Sequence, residues 1–292
     1  MDDGSAHETA TAIRGTADPR VRTIRHETPQ GVAASRNAGA AHAEGSWLAF
    51  VDDDDLWAPD KLSAQLLAAQ GTGRSWAYAG AVNVAEDLSI VSGVPPPPPG
   101  TVERTIRRYN SVPGGGSNVI VRRDAFDRVG PFDIRLKNTE DWEMWIRLAQ
   151  DGPPAWVPDP LLAYRVHGRN ASLDVAAILD GVALIERRHS TRVDRGVIHR
   201  WIAESCLRTG RRRDALKHLA IAAANGQGTN VARDVAAIAE RRLGAVTGRM
   251  RARRSTDDAW IGAARPWIEQ LIREAERGHD RPPAGPSSGP SS

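Results

Sequence analysis

The stretch Phe50-Val51-Asp52-Asp53-Asp54-Asp55-Leu56-Trp57 sets four carboxylates in a row directly after the apolar run Trp47–Val51. A short continuous apolar run reads as a buried strand. The carboxylates then stand at a strand's carboxyl end, where open α/β sheets bind their ligands. Four neighbouring carboxylates repel one another and call for a cation. A hard divalent ion with oxygen ligands, magnesium or manganese, suits them. A solvated acidic loop would explain an isolated tetrad. The strand before it and Trp57-Ala58-Pro59-Asp60-Lys61-Leu62 after it favour a site.

Working outward, short apolar runs alternate with helical patterns, which predicts βα units and a mostly parallel sheet. Val21–Arg25 reads as a strand, Gly31–Glu44 as an Ala-rich helix capped by Gly45, and Pro59 opens a helix through Gln70. Ser75–Val84 reads as a strand, Pro95–Pro99 as a stiff connector, and Thr101–Asn110 as a helix. Ser117–Arg122 reads as a strand, with Asp124 capping a short helix after it. In Glu140–Gln150, Trp142, Trp145, Ile146 and Ala149 recur at i, i+3, i+4 and i+7, the apolar stripe of a helix. Trp142 and Trp145 therefore read as core residues.

After about Asp174 the pattern becomes wholly helical: Asp174–His189, Val193–Thr209, Arg212–Asn225, Val231–Leu243 and Asp257–Arg277. The expected organisation is an α/β domain over 1–174, an all-α bundle over 175–279 and a disordered Pro/Gly/Ser-rich tail over 280–292. Charge divides at the same place. Residues 1–174 hold 18 Lys and Arg against 23 Asp and Glu, and residues 175–292 hold 21 against 13. The basic residues of the second half are scattered, with few aromatics between them, so no specific nucleic-acid partner is expected. The single cysteine, Cys206, excludes an internal disulfide and a Cys-based zinc site, and a reduced cytoplasmic setting is the expectation.

Six segments resemble, in order, the family-2 glycosyltransferases of the GT-A fold. They are Gly31-Val-Ala-Ala-Ser-Arg36-Asn37-Ala-Gly39, Trp47 through Leu62, Gly115-Gly-Ser-Asn118-Val-Ile-Val-Arg-Arg123, Val129-Gly-Pro-Phe-Asp133, Glu140-Asp141-Trp142 and Tyr164-Arg165-Val-His167. The resemblance covers about residues 2–172 and implies a Rossmann-like mixed sheet that binds a nucleotide-diphosphate sugar donor. It implies Asp54 as a ligand of the divalent metal (Mn2+ or Mg2+), with Asp52 or Asp53 facing the ribose. By the same resemblance Asp3 contacts the base, Arg36 lies on the donor side, and Gly116 and Ser117 belong to a loop beside the acceptor. Glu140 accompanies Asp141, which matches the catalytic base of inverting members. Arg165 and His167 match a late motif that approaches the diphosphate, His167 being a second candidate metal ligand. The acceptor would be a glycan, lipid-linked or small-molecule hydroxyl, with peripheral attachment at the inner face of a membrane.

Two further expectations follow. The family's first strand–helix unit would precede Met1, a valine codon read as a start accounting for the methionine. A truncated, inactive relative or a binding module built on the basic helices is the alternative. Nucleotidyl transfer is disfavoured, because no glycine-rich phosphate loop with a nearby lysine stands near the N-terminus.

Overall fold

Strand β3 (Trp76–Val84) is the spine of the molecule, and its alternating residues serve two layers. Trp76 and Tyr78 enter the large core, whereas Ala77 and Ala79 pack against alanines of helix α2 (Lys61–Thr72). The computed structural model describes residues 1–5, 18–167, 174–236 and 256–279. The expected tail over 280–292 and residues 237–243 of the expected Val231–Leu243 helix lie outside the described residues.

In chain order, helix α1 (Val32–His42) precedes β1 (Trp47–Ala49), β2 (Leu56–Trp57), α2 and β3. Then come β4 (Ile90–Val94), α3 (Pro99–Thr105), a 3-10 turn at Gly115–Asn118, β5 (Ile120–Arg122), α4 (Arg123–Val129), α5 (Glu140–Asp151) and β6 (Ala155–Arg165). The sheet order is β1-β5-β3-β6-β2, with β4 also on β3. This is a mixed sheet, and the expectation of mostly parallel strands is corrected. Only β3–β6 is parallel among the described pairs, while β1–β5, β2–β6, β3–β4 and β3–β5 are antiparallel.

Several boundaries also move. Val21–Arg25 forms no strand, because its one ladder contact is the parallel bridge between Arg25 and Asp2. Gly45 does not cap α1; Ala43 does, in extended conformation. Helix α2 begins at Lys61 and ends on Gly73, whose left-handed φ of 65° suits glycine. Pro99 starts α3 instead of ending a connector, and the helix stops at Thr105. Residues Gly115–Asn118 form the 3-10 turn, so the strand after them is only Ile120–Arg122, and Asp124 lies inside α4, whose cap is Arg122.

Helices α6 (Val175–His189), α7 (Arg195–Arg208) and α8 (Arg212–Ala222) follow, α6 and α7 capped by Asp174 and Asp194. Ile178, Val182, Ile185, Ile198, Ile202 and Cys206 join the same core as Trp76, Trp142 and Trp145. The two tryptophans of α5 are buried, as their spacing predicts. Helix α9 (Thr256–His279) instead lies on the sheet. Its Trp260 indole N–H donates to the Ala81 carbonyl at 2.9 Å and its Trp267 N–H to the Pro160 carbonyl at 3.0 Å. Trp260 fits a notch left by two glycines: a Cβ at Gly80 would lie 2.2 Å from the ring, and one at Gly93 2.7 Å away. Gly80→Ala should therefore destabilise the fold by ~1–3 kcal/mol, as overpacking does. Thermal denaturation checks this, and a melting temperature equal to wild type would show that α9 is not seated there. No helix among the described residues is long and apolar enough to cross a membrane.

Candidate active site

The four carboxylates part company as the chain turns out of β1. Asp52 donates its backbone N–H to Ser117 Oγ at 3.0 Å, and its side chain meets Arg36. Asp53 is exposed. Asp54 Oδ2 lies 2.8 Å from His167 Nε2, just past the end of β6. Asp55 is buried, and its Oδ1 accepts the Arg165 backbone N–H at 2.9 Å. Burial, helped by the charges of Asp52 and Asp54, pushes the Asp55 carboxyl up to about 7. Asp55 thus pins the loop to β6, and the loop presents Asp52, Asp53 and Asp54 outward.

Arg36 ties this loop to helix α5. One terminal nitrogen donates to Asp52 Oδ1 at 2.6 Å and the other to Glu140 Oε1 at 2.7 Å. The guanidinium is 9% exposed and sits 5.7 Å from the Phe132 ring centroid. Burial works against its charge, but Asp52, Glu140 and Asp141 outweigh that and raise its pKa. Next along α1, Asn37 holds Phe132 by both backbone groups, at 2.9 Å and 2.8 Å. Gly116 is where the third wall closes, because a Cβ there would lie 2.5 Å from the guanidinium carbon. A Cβ at Gly115, whose φ is 58°, would lie 3.2 Å from Asp141 Oδ2. The Gly115–Asn118 turn therefore runs directly past both Arg36 and Asp141.

That turn rests on a buried polar network with no sequence signal beyond its residue types. The Asn118 amide accepts the Ala79 N–H at 3.0 Å and donates to the Ala79 carbonyl at 2.7 Å, acting as one more rung on β3. The Asn118 backbone carbonyl accepts from Lys61 Nζ at 3.1 Å and Gln65 Nε2 at 2.7 Å. Lys61 is fully buried, 4.2 Å from the Trp57 ring centroid, and burial lowers its pKa to about 7. The Trp57 indole N–H donates to the Ser117 carbonyl at 2.8 Å. Trp57, Lys61 and Asn118, quoted above only as parts of motifs, support the turn from beneath.

Glu140 and Asp141 open α5, whose N-terminal dipole favours negative charge. Burial works the other way and dominates. It raises the Asp141 carboxyl above its ordinary range and, with Asp141 beside it, pushes Glu140 up to about 8. Asp141 Oδ1 accepts the Trp142 N–H at 2.6 Å, and Glu140 Oε2 is buried with no hydrogen-bond partner among the described residues. The native state thus holds a proton that the unfolded chain, with a glutamate pKa of 4.5, releases. Stability should fall as pH rises from about 4.5 towards 8. Glu140→Gln should flatten that decline, and melting temperatures across this range would check it. An unchanged slope would place the buried proton elsewhere.

Asp3 is placed at the other end of α1. Both its oxygens accept backbone N–H groups of Gln30 and Gly31 at 2.7–3.1 Å, and His26 Nδ1 lies 2.7 Å away. Burial opposes its ionisation, but the Gln30 N–H, His26 and the Gly31 N–H hold its carboxyl at about 2. The fold thus brings Arg36, Asp52, Gly116, Ser117, Glu140 and Asp141 into one contact set. Asp54 with His167, and Asp55 with the Arg165 backbone, link the loop to the end of β6, and Asp3 holds the backbone that leads into α1.

The two candidate metal ligands, Asp54 and His167, lie against each other, Asp54 Oδ2 2.8 Å from His167 Nε2. No group of three or more His, Cys, Asp or Glu side chains that could hold a metal occurs among the described residues. Two ligands fit a hard cation that keeps waters and takes substrate phosphate oxygens, as Mg2+ does in nucleotide sites.

Residues 1–130 match the family model described as Glycosyl transferase family 2. A Haemophilus influenzae protein described as an uncharacterized glycosyltransferase is 31% identical over 160 residues, covering 52% of this chain and 53% of its own. The Escherichia coli UDP-Glc:alpha-D-GlcNAc-diphosphoundecaprenol beta-1,3-glucosyltransferase WfgD is 26% identical over 150 residues, covering 51% and 56%. The chain spans about half the length of these curated relatives. Among solved structures, S. aureus TarS 1–349 shares the fold, with a TM-score of 0.51 at 17% identity over 77% of this chain and 63% of that one. The same protein in complex with UDP gives 0.51 at 16% identity, over the same shares of the two chains.

Proposed function

We propose that this chain, whose residues 1–130 match the model of glycosyl transferase family 2, moves a sugar from a nucleoside-diphosphate sugar to an acceptor hydroxyl, inverting the anomeric centre. The observation that carries the reading is Arg36, which joins Asp52 of the carboxylate loop to Glu140, next to Asp141, within hydrogen-bond distance. Donor-side and acceptor-side carboxylates are thereby held around one space.

Asp141 accepts the acceptor hydroxyl's proton as that oxygen forms its bond to the anomeric carbon and the bond to the diphosphate oxygen breaks. General-base help of this kind is worth typically ~10²–10⁴-fold. Asp52 or Asp53 faces the ribose, Gly116 and Ser117 border the acceptor, and Asp3 and Arg165 lie on the donor side. Asp54 and His167 would hold Mn2+ or Mg2+, which supplies neutralisation of the leaving diphosphate's charge. WfgD, and the Escherichia coli UDP-Glc:alpha-D-GlcNAc-diphosphoundecaprenol beta-1,3-glucosyltransferase WfaP, are both named for a diphosphoundecaprenol substrate. A lipid-linked glycan acceptor follows for this chain by analogy, with the protein working in the cytoplasm and attached peripherally at the inner face of the membrane.

A thermal-shift panel of nucleotide sugars with and without Mn2+ tests the reading. At least one nucleoside-diphosphate sugar should raise the melting temperature further when Mn2+ is present. Asp54→Ala should remove that metal-dependent part while leaving the apo protein's melting unchanged. A full response to Mn2+ and donor in the variant would remove the metal from Asp54.

A further inference from the structure

We infer that Trp260 and Trp267 of α9 are positioning residues for the carboxylate loop; what this does to the donor rests on the transfer reading above. The chain leaves Asp52–Asp55 through β2, which has only two residues and pairs with β6 at Leu162 and Ala163. So short a ladder is too weak to hold a loop by itself. Packing around β2 has to supply the rest, and α9 supplies it at both ends. Leu56, directly after Asp55, packs against the apolar cluster of Val82, Ala163 and Ala264 that Trp260 also joins. Ala58, directly after β2, is 3% exposed and packs with Val157 and Leu161 in a second cluster, which Trp267 joins. Its N–H donates to the Leu161 carbonyl at 2.9 Å.

The same two tryptophans bond the sheet where it is least regular. Their indoles take the Ala81 and Pro160 carbonyls, and the β3–β6 register shifts at Gly80, the partner of Pro160. Trp57 lies between Leu56 and Ala58, so the pleat turns it to the other face. There its indole N–H donates to the Ser117 carbonyl of the turn that runs past Asp141. Helix α9 thus backs a strand that carries the carboxylate loop at one end and meets the Gly115–Asn118 turn at its front. Unseating α9 should loosen the loop that sets Asp54 against His167. The large core, to which neither tryptophan belongs, should stay intact.

Hydrogen exchange followed by mass spectrometry on the full chain, without ligand, tests this. In Trp260→Ala the amides of α9 and of residues 52–58 should exchange about tenfold faster or more, while those of α1 and α5 keep wild-type rates. Trp267→Phe keeps an aromatic ring and removes only the bond to Pro160, so it should give the same pattern at about threefold. Uniformly faster exchange would make the tryptophans supports of the whole fold and overturns the inference. So does wild-type exchange at residues 52–58, whether or not α9 loosens. The effect on the donor is read separately, with the nucleotide sugar that gives wild type its largest thermal shift. Its affinity in Mn2+, measured by titration calorimetry, should fall about tenfold in Trp260→Ala. Equal affinity overturns the positioning role. If wild type binds no nucleotide sugar, the transfer reading fails instead, and the exchange rates still decide whether α9 holds the loop.

Discussion

Asp141→Asn is expected to lower sugar transfer ~10²–10⁴-fold while leaving donor binding and the fold intact. The substitution keeps the side chain's size and its hydrogen bond from the Trp142 N–H, and removes only the ability to take a proton. Its signature is a pH profile. Burial raises the Asp141 pKa, so wild-type activity should climb with pH along a limb lying above the ordinary carboxylate range, and that limb should vanish in the variant. Glu140→Gln is the control. That carboxyl is pushed up to about 8 and is largely protonated at neutral pH, so the glutamine should retain much of the rate. Equal losses in the two variants would remove the distinction between base and neighbour. Steady-state rates from pH 5 to 9 decide it.

Arg36→Met should cost about 3 kcal/mol of stability, the low end of what breaking a buried ion pair costs. The low end applies because Asp52 is 37% exposed and partly screened, and because Glu140 keeps its proton over much of the neutral range. For a protein of this size the melting temperature should fall by about 6–12 °C. Arg36→Lys should recover little of this. A single ammonium cannot reach both Asp52 and Glu140, which the guanidinium bonds through separate nitrogens. A drop below 2 °C for Arg36→Met would mean that the two carboxylates do not depend on this brace.

The carboxylate loop and α5 were legible because each carries a local pattern: an apolar run ending in acids, and a 3.6-residue stripe. Of strand β6 only the last two residues, Tyr164 and Arg165, entered the sequence reading, as part of a motif. Pro158 and Pro160 interrupt its apolar run, and the structure absorbs them at a register shift opposite Gly80. Strand β4 was unread because Ser92-Gly93 breaks its alternation, although Gly93 is there to seat Trp260. The mostly parallel sheet was misjudged because β1, β2 and β5 have only two or three residues each, too short for pattern to reveal direction. The Lys61–Gln65–Asn118 network links residues 53 and 57 positions apart, a relation no single window contains. Arg36 was assigned to the donor side by resemblance, whereas its bonds to Asp52 and Glu140 appear only in three dimensions. The placement of α9 on the sheet rests on two indole contacts more than a hundred residues distant in sequence.

The most direct test of the central claim, direct displacement assisted by Asp141, is the anomeric configuration of the product. Proton NMR of the glycoside formed from an α-linked nucleotide sugar reads it from the anomeric coupling. The account predicts a β-linked product. An α-linked product would contradict it, because a single direct displacement inverts the anomeric centre.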